Sequence, residues 1–263
     1  MVAVAGSRVL GRISAFLGAA GATRAVYGAL RSRPPGGAVL WERKNYAGRT
    51  VNLHAGLATA TGTALAAATV PGLPARARSA TALAVLAAGG CGAYDDVFGA
   101  GDPRRGFRAH LSALRHGEVT SGAVKLFGIG AAGLAAGALL KERSADKLLA
   151  GVVIAGSAHL VNLLDVRPGR AAGAVLAIGA PGLLRGGTAG SLSAAPMGAA
   201  AAVVGDDLGE RTMLGDAGAH ALGAALGLAI VSGNGRKGLA AHAAGLIAAA
   251  AAGDRVSRAV EAI

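Results

Sequence analysis

Residues 186–205, GGTAGSLSAAPMGAAAAVVG, contain no charged side chain over twenty positions. A helix needs about 20 mostly apolar residues to cross the roughly 30 Å of hydrocarbon in a bilayer, so this stretch is long enough to span a membrane. Seven other stretches without charge, each of 14 residues or more, occupy residues 50–75, 79–94, 126–140, 148–164, 171–184, 217–235 and 238–253. The shorter ones can span a bilayer when flanking residues join the helix and their Lys or Arg side chains extend to the headgroups.

The composition favours a membrane protein and excludes other classes. Of 263 residues, 53% are hydrophobic and 15% are charged, whereas soluble domains carry about 25% charged residues. The 67 alanines and 44 glycines leave few large side chains for a soluble core. A disulfide scaffold is excluded by the single Cys91, and a disordered chain by the hydrophobicity. Collagen is excluded because the glycines have no three-residue period.

The first hydrophobic segment, residues 9–30, is a less regular span because Arg12 and Arg24 interrupt it. A cleaved signal peptide is the alternative there. We predict a membrane helix, which makes the chain a single all-α integral membrane domain, residues 1–263, with about nine transmembrane helices. The predicted spans are residues 9–30, 52–71, 79–98, 122–140, 147–164, 171–185, 189–205, 216–232 and 238–253.

Nine spans place the two termini on opposite sides of the membrane. With the N-terminus outside, the inner segments hold fifteen Lys and Arg residues and the outer loops hold eight. The positive-inside rule therefore predicts an outer N-terminus and a cytoplasmic C-terminus. Basic loops with few aromatic residues do not indicate nucleic-acid binding; they fit the anionic inner leaflet of a plasma membrane.

Small residues are expected at the helix contacts, because helices associate in lipid through close backbone approach. Gly133-x3-Gly137 and Gly223-x3-Gly227 have the spacing of such contacts. With 44 glycines in the chain, chance spacing is common, and neither pair is singled out.

The acidic residues are distributed more unevenly than the basic ones. In the predicted topology twelve of the fourteen Asp and Glu residues lie on the inner side, although acids do not set topology. Three groups stand at predicted helix ends: Asp95-Asp96, Asn162-Leu-Leu-Asp165 and Asp216. Each group alone is explained as an ordinary charged residue at a helix end. Together, at one membrane face, they indicate a functional site.

Carboxylates that lie close together repel one another unless a proton or a hard cation lies between them. Mg²⁺ suits such a site, since it takes oxygen ligands from one or two carboxylates and from substrate phosphates. Basic residues of the inner segments could bind phosphate oxygens; they are Arg104, Arg105, Arg108, Arg115, Lys125 and Arg211. This combination favours phosphoryl transfer to or from a lipid phosphate.

In this order, the motifs resemble those of the polyprenyl-phosphate N-acetylhexosamine-1-phosphate transferases. That superfamily has an Asp-Asp pair after an early helix, then Asn-Leu-x-Asp-Gly-x-Asp-Gly, then Met-Gly-Asp-x-Gly-Ser-x-x-Leu-Gly. Asp95-Asp96 resembles the pair, residues 162–165 the start of the second motif, and Leu214-Gly-Asp216-Ala-Gly218 the third. Lys125 and Arg211 resemble the basic residues of the family. The similarity covers roughly residues 40–260.

The resemblance implies an enzyme that transfers a phospho-sugar from a UDP-sugar to polyprenyl phosphate, releasing UMP for cell-envelope synthesis. It makes Asp216 the main Mg²⁺ ligand and gives Asp96 a supporting role at the metal. Asp95 becomes the base or phosphate-activating carboxylate, and Asp165 with Asn162 would orient a metal-bound water or the nucleotide. Lys125 and Arg211 would neutralise phosphate charge. The expected partners are polyprenyl phosphate, a UDP-sugar and the lipid bilayer, with a homodimer left open.

The chain also departs from this pattern. The second Asp of the middle motif falls on Pro168, and the Ser of the third motif is Ala219. The His-rich loop that reads the sugar in the family is missing. Arg167 and Arg170 bring positive charge where the family carries negative charge, so we expect them to bind an anionic phosphate of the substrate.

These departures leave a second hypothesis open, in which the chain is a catalytically silent relative that acts as a membrane scaffold or lipid-phosphate binder. A transporter is a third alternative. His220 follows Asp216 by one turn on the same helix face and is a further candidate for the site.

Overall fold

Helices dominate the computed structural model, which describes residues 2–99, 101–102, 104 and 106–262. The described residues form eleven α-helices, one short 3-10 helix and two short strands. The α-helices are α1 Val2–Ser32, α2 His54–Thr69, α3 Ala75–Phe98, α4 Gly106–Arg115, α5 Ser121–Leu140, α6 Ser144–Leu163, α7 Arg170–Leu183, α8 Gly187–Leu208, α9 Gly215–Gly233, α10 Arg236–Ala251 and α11 Gly253–Glu261. The 3-10 helix is Ala38–Trp41, and the strands are β1 Glu42–Lys44 and β2 Thr50–Asn52.

All nine segments predicted as spans coincide with helices, namely α1, α2, α3 and α5 to α10. Four of these, α5, α6, α8 and α9, are long and apolar enough to cross a membrane by length and composition. The prediction of an all-α helical membrane protein is therefore supported, while the count of nine spans and the orientation of the termini stay predictions. Helices α4 and α11 were not predicted, because they are short, charged and outside the charge-free stretches.

Contacts at the two ends of the bundle show that consecutive long helices run in opposite directions. At one end, Lys125 at the start of α5 contacts Asp95 at the end of α3 and Asp216 at the start of α9. At the other, Arg236 at the start of α10 binds Asp146 in the first turn of α6 at 2.6 Å. We call these the acidic end and the opposite end. The alternation brings the three predicted carboxylate motifs to the acidic end.

Helix α9 lies at the centre of the bundle. It packs against α2, α3, α5, α6, α7 and α8, and most of its side chains are buried. Helix α8 is also largely enclosed, including Pro196 in its interior. Of the 19 residues of α9, 14 are Gly, Ala or Leu, and the many small side chains let neighbouring helices approach closely.

Both glycine pairs noted in the sequence lie at close helix contacts. A Cβ atom at Gly137 of α5 would lie 2.7 Å from the Lys147 carbonyl oxygen of α6, and one at Gly227 of α9 would lie 2.7 Å from Cα of Ile154. Their partners Gly133 and Gly223 face α6 in the same way. No larger side chain fits at these crossings without moving backbone. The pairs therefore set the separations of α5 and α9 from α6.

Basic side chains at the opposite end bind helix carbonyl groups. Arg78 donates to the carbonyl oxygens of Ala68, Val70 and Leu73 at the end of α2. Arg185 donates to the Gly233 carbonyl at the end of α9, at 2.6 Å. The last carbonyls of a helix lack intrahelical partners and carry partial negative charge. These cations therefore stabilise the C-terminal ends of α2 and α9.

Strands β1 and β2 form an antiparallel hairpin at the acidic end, with Arg43 opposite Val51. The hairpin continues into the start of α9, because the Met213 amide donates to the Asn52 carbonyl at 3.0 Å. The Asn52 side chain donates to the Arg211 carbonyl at 2.9 Å. A search for charge-free segments does not find this hairpin. The hairpin places the connection between α1 and α2 beside the predicted site.

Candidate functional site

Lys125 is the centre of the site. Its ammonium lies 2.7 Å from Oδ2 of Asp95 and also contacts Oδ2 of Asp216. The three side chains come from the last turns of α3 and the first turns of α5 and α9, and each is about four-fifths buried. Two carboxylates thus share one cation, which offsets their repulsion at a place with little access to water.

Asp96 binds the start of α9 instead of the lysine. Its Oδ1 accepts from the Asp216 amide and its Oδ2 from the Ala217 amide, both at 3.0 Å. The first amides of a helix lack intrahelical partners, and a carboxylate there also interacts favourably with the helix dipole. Asp96 therefore fixes the start of α9 and with it the position of Asp216. The two residues of the Asp-Asp pair therefore have different functions. Asp95 binds Lys125, and Asp96 caps the start of α9.

Close contact between α3 and α9 makes this arrangement possible. A Cβ atom at Gly92 would lie 2.6 Å from the Ala217 nitrogen and closer still to the Asp216 carbonyl. Gly215, the first residue of α9, has φ +58° and faces both oxygens of Asp96. A residue with a side chain would be strained in that backbone conformation. Glycines at these two positions are thus required by the site.

Asp165 follows α6 and is half-buried, near the carboxylates of Asp96, Asp207 and Asp216. Its amide donates to the Asn162 carbonyl at 3.1 Å, in a turn that ends the helix. Burial raises the pKa of Asp165 well above its usual value of 3.8. Three nearby carboxylates raise it further, those of Asp207, Asp216 and Asp96. The second motif therefore joins the same electrostatic environment as Asp96 and Asp216.

The raised pKa of Asp165 predicts a pH dependence of stability. A carboxyl with a higher pKa in the folded than in the unfolded chain stabilises the fold below about pH 4, its unfolded pKa. That contribution is lost as pH rises through the folded pKa. We expect Asp165→Asn to reduce the fall in Tm of the purified protein between pH 4 and pH 8. Glu142→Gln, an exposed change at the opposite end, is the control, and an unchanged slope in Asp165→Asn contradicts the assignment.

Arg211 lies apart from the lysine cluster. Its Nε donates to Oδ1 of Asp206 at 2.8 Å, and Arg24 of α1 binds the other oxygen of that carboxylate. Arg211 was predicted to neutralise substrate phosphate, and the structure places it in this ion-pair network at the end of α8. The Arg211 side chain is 60% exposed.

The loop between α6 and α7 carries Arg167 and Pro168, and Arg170 is the first residue of α7. The loop is bound to α8, because the Gly169 amide donates to Oδ2 of Asp207 at 2.8 Å. The loop and the hairpin tip enclose a cavity of about 360 Å³ that both arginines line. The two predicted phosphate-binding arginines thus lie together, on the side of the loop that faces the hairpin.

The remaining residues that were predicted to belong to the site lie at several different positions. Arg104 binds Asp102 at 2.8 Å and also contacts Glu118, while Arg115 ends α4. Arg105 and the side chain of Arg108 lie outside the described residues. The buried His220 places Nδ1 2.7 Å from the Asp216 carbonyl, one turn earlier in α9. It contacts the backbone of Asp216 and not its carboxylate.

Sequence reasoning missed Arg43, which joins the hairpin to the site. Its Nε donates to the Asp96 carbonyl at 3.0 Å, and its terminal nitrogen contacts the same oxygen. Arg43 had been counted only as an inner-loop charge. The Asn45 and Gly48 turn residues were the one available signal for the hairpin, and they do not reveal which helix end the hairpin covers.

Two carboxylates of the site are suitable ligands for Mg²⁺. Within the described ranges, no three His, Cys, Asp or Glu side chains are grouped as a metal site. Asp95 and Asp216, however, direct one oxygen each at the same cation, the Lys125 ammonium. Two carboxylates are the usual protein share of a Mg²⁺ site, whose other ligands are water and substrate phosphate. Both oxygens of Asp96 already accept backbone hydrogen bonds.

The fold and the site are the basis for assigning a function to this chain. No protein-family model matches the chain, and no curated protein matches it. The helical architecture and the four described helices that are long and apolar enough to cross a membrane support the class of helical membrane proteins. Within that class, the distinctive feature is a carboxylate–lysine cluster at one end of the bundle.

Proposed function

We propose that this chain is a membrane phosphoglycosyl transferase, which moves a phospho-N-acetylhexosamine or related phospho-sugar from a UDP-sugar to polyprenyl phosphate and releases UMP. The observation that carries the proposal is the contact of Lys125 with both Asp95 and Asp216, from three helices at one end of an apolar bundle. Order and spacing of the three acidic motifs support it. In this proposal nine helices span the plasma membrane and the acidic end faces the cytoplasm.

The reaction requires neutralisation of two phosphate groups. An oxygen of polyprenyl phosphate attacks the β-phosphorus of the UDP-sugar, and the bond from that phosphorus to the oxygen of UMP breaks. Lys125 would bind phosphate oxygens and stabilise the charge that develops. Asp95 would orient the attacking phosphate or take its proton. Asp96 acts through the backbone of α9, by holding Asp216 in place.

The proposed reaction uses a divalent cation. Asp216 and Asp95 would hold Mg²⁺, which supplies positive charge to the diphosphate oxygens when bound. Lys125 lies between the same two carboxylates. With a cation bound by Asp95 and Asp216, Lys125 would be available to bind substrate phosphate oxygens.

Exposed aromatic side chains beside the cluster support a lipid substrate. Tyr94 and Phe98 of α3 form a ring pair with centroids 4.8 Å apart, and both are exposed. Phe127 of α5, two residues from Lys125, is also exposed. Exposed aromatic side chains on the two helices that carry Asp95 and Lys125 suit a substrate with a long hydrocarbon chain and a phosphate head. A polyprenyl chain on α3 and α5 would bring its phosphate to Lys125.

An activity measurement tests the proposal. The full chain, purified in detergent, would be given Mg²⁺, undecaprenyl phosphate and a panel of UDP-sugars, and UMP release would be followed. We expect release that requires both substrates. If no donor gives UMP, the transferase proposal fails and the lipid-phosphate scaffold is favoured.

Asp216→Asn should weaken Mg²⁺-dependent binding of the UDP-sugar by about tenfold or more, since the metal loses a charged oxygen ligand. Isothermal titration with and without Mg²⁺ measures the effect. Asp146→Asn is the matched control, because Asp146 lies at the opposite end and pairs with Arg236. Unchanged metal dependence in Asp216→Asn would remove this residue from the site.

A further inference from the structure

A cavity of about 360 Å³ lies between the hairpin tip and the loop that joins α6 to α7. Its lining includes Tyr46 of the hairpin, Arg167 of the loop and Arg170 at the start of α7. The Arg167 guanidinium lies 5.7 Å from the centroid of the Tyr46 ring, within the range of a cation–π interaction. The cavity is thus lined by two cations and one aromatic ring.

The charge of the cavity is positive. Among the described residues that line it, Glu210 alone carries a carboxylate. Its two oxygens are already engaged, by the Asn45 side chain at 2.6 Å and by the Arg49 guanidinium at 3.3 Å. In the part of the chain that the structure describes, neither Arg167 nor Arg170 has a carboxylate within ion-pair distance. Two guanidinium groups therefore remain for a ligand.

The walls of the cavity are held in place from behind. Glu210 adopts φ +51°, an unusual backbone conformation for a residue with a side chain, and its contacts with the hairpin fix it there. Gly169 adopts φ +77° and donates its amide to Asp207. The loop and the hairpin are thus each anchored to the end of α8. The backbone that carries Arg167 and Arg170 therefore does not need to be ordered when an anion binds, which lowers the entropic cost of binding.

We propose that this cavity binds a phosphate-bearing anion, with Arg167 and Arg170 as its cationic groups and the Tyr46 ring as its outer wall. Guanidinium groups bind phosphate oxygens through paired hydrogen bonds. The two arginines were expected to bind substrate phosphate, and the cavity and the Tyr46 ring define a separate site for that binding, outside the Lys125 cluster. Binding there does not require a transfer reaction, so it can be tested apart from the proposed function. The phosphate could belong to a soluble diphosphate or to a lipid headgroup, which share this chemistry.

The experiment measures binding of pyrophosphate to the full chain in detergent, and of undecaprenyl phosphate to the chain in neutral-lipid nanodiscs. We expect Arg167→Gln with Arg170→Gln to weaken one of the two by at least tenfold, as for loss of charge-assisted hydrogen bonds. The ligand affected identifies the source of the phosphate. Arg255→Gln with Arg258→Gln removes two exposed arginines of α11 and should leave both affinities unchanged.

Further variants separate this site from the Lys125 cluster. Tyr46→Leu should weaken binding severalfold and Tyr46→Phe should retain it, because the ring and not the hydroxyl faces Arg167. Asp216→Asn should leave binding at the arginines intact. Wild-type affinity for both ligands in the Arg167/Arg170 variant, or an equal loss in the Arg255/Arg258 variant, overturns the proposal. Absence of UMP release alone would overturn only the proposed function.

Discussion

Lys125→Met should destabilise the protein by about 3 kcal/mol and abolish UMP release. The change leaves Asp95 and Asp216 facing each other without their shared cation, and removal of one partner from a buried ion pair costs about 3–5 kcal/mol. Thermal unfolding in detergent and the UMP assay measure the two effects. Lys237→Met, an exposed change at the opposite end, should alter neither.

Two additions make the Lys125 experiment specific. Combining Lys125→Met with Asp95→Asn removes one cation and one anion, so the double variant should recover much of the lost stability. Mg²⁺ should raise the Tm of Lys125→Met more than that of the wild type, because a divalent ion can take the place of the ammonium between two carboxylates. If Lys125→Met unfolds at the wild-type temperature, the ion pairs do not hold the three helices together.

Gly92→Ala should destabilise the protein by about 1–3 kcal/mol, the usual range for overpacking, and should also abolish the Mg²⁺-dependent binding that needs Asp216. The added methyl group would overlap the backbone of α9 at Asp216 and Ala217. Helix α9 must then move away from α3, and the hydrogen bonds to Asp96 lengthen. Thermal unfolding and titration with the UDP-sugar measure the two effects.

Gly90→Ala is the matched control for Gly92→Ala. Gly90 lies on the same helix, and a Cβ atom there meets no other atom within 4 Å. Since alanine favours a helix by about 0.5–1 kcal/mol over glycine, this variant should be unchanged or slightly more stable. Equal losses in both variants would mean that helix α3 itself, and not its contact with α9, requires glycine.

The helices of this protein could be predicted from sequence because a bilayer leaves a simple pattern. A spanning helix must be long and free of charge, and each charge-free stretch coincides with a helix. The shared location of the acidic motifs was also predictable, since helices that alternate in direction bring Asp95 and Asp216 to one end. Neither inference required knowledge of how the helices pack.

Contacts between helices could not be predicted in the same way. Gly92 looks like any other glycine of the chain, and only its neighbour α9 makes it necessary. The capping role of Asp96 depends on the start of α9 lying beside the end of α3. The hairpin that carries Arg43 and Tyr46 is short and charged, so a search for charge-free segments passes over it. To predict any of these features, one must know which elements lie next to each other in the folded chain.

The central position of α9 has a consequence for synthesis in the cell. This helix is the ninth of eleven along the described chain, yet it contacts six others and supplies Asp216. Until residue 233 has left the ribosome, α2, α3 and α6 have no partner for the surfaces that carry Gly56, Gly92 and Ser157. Those surfaces can be covered, and the carboxylate–lysine cluster can be completed, only after α9 has been synthesised.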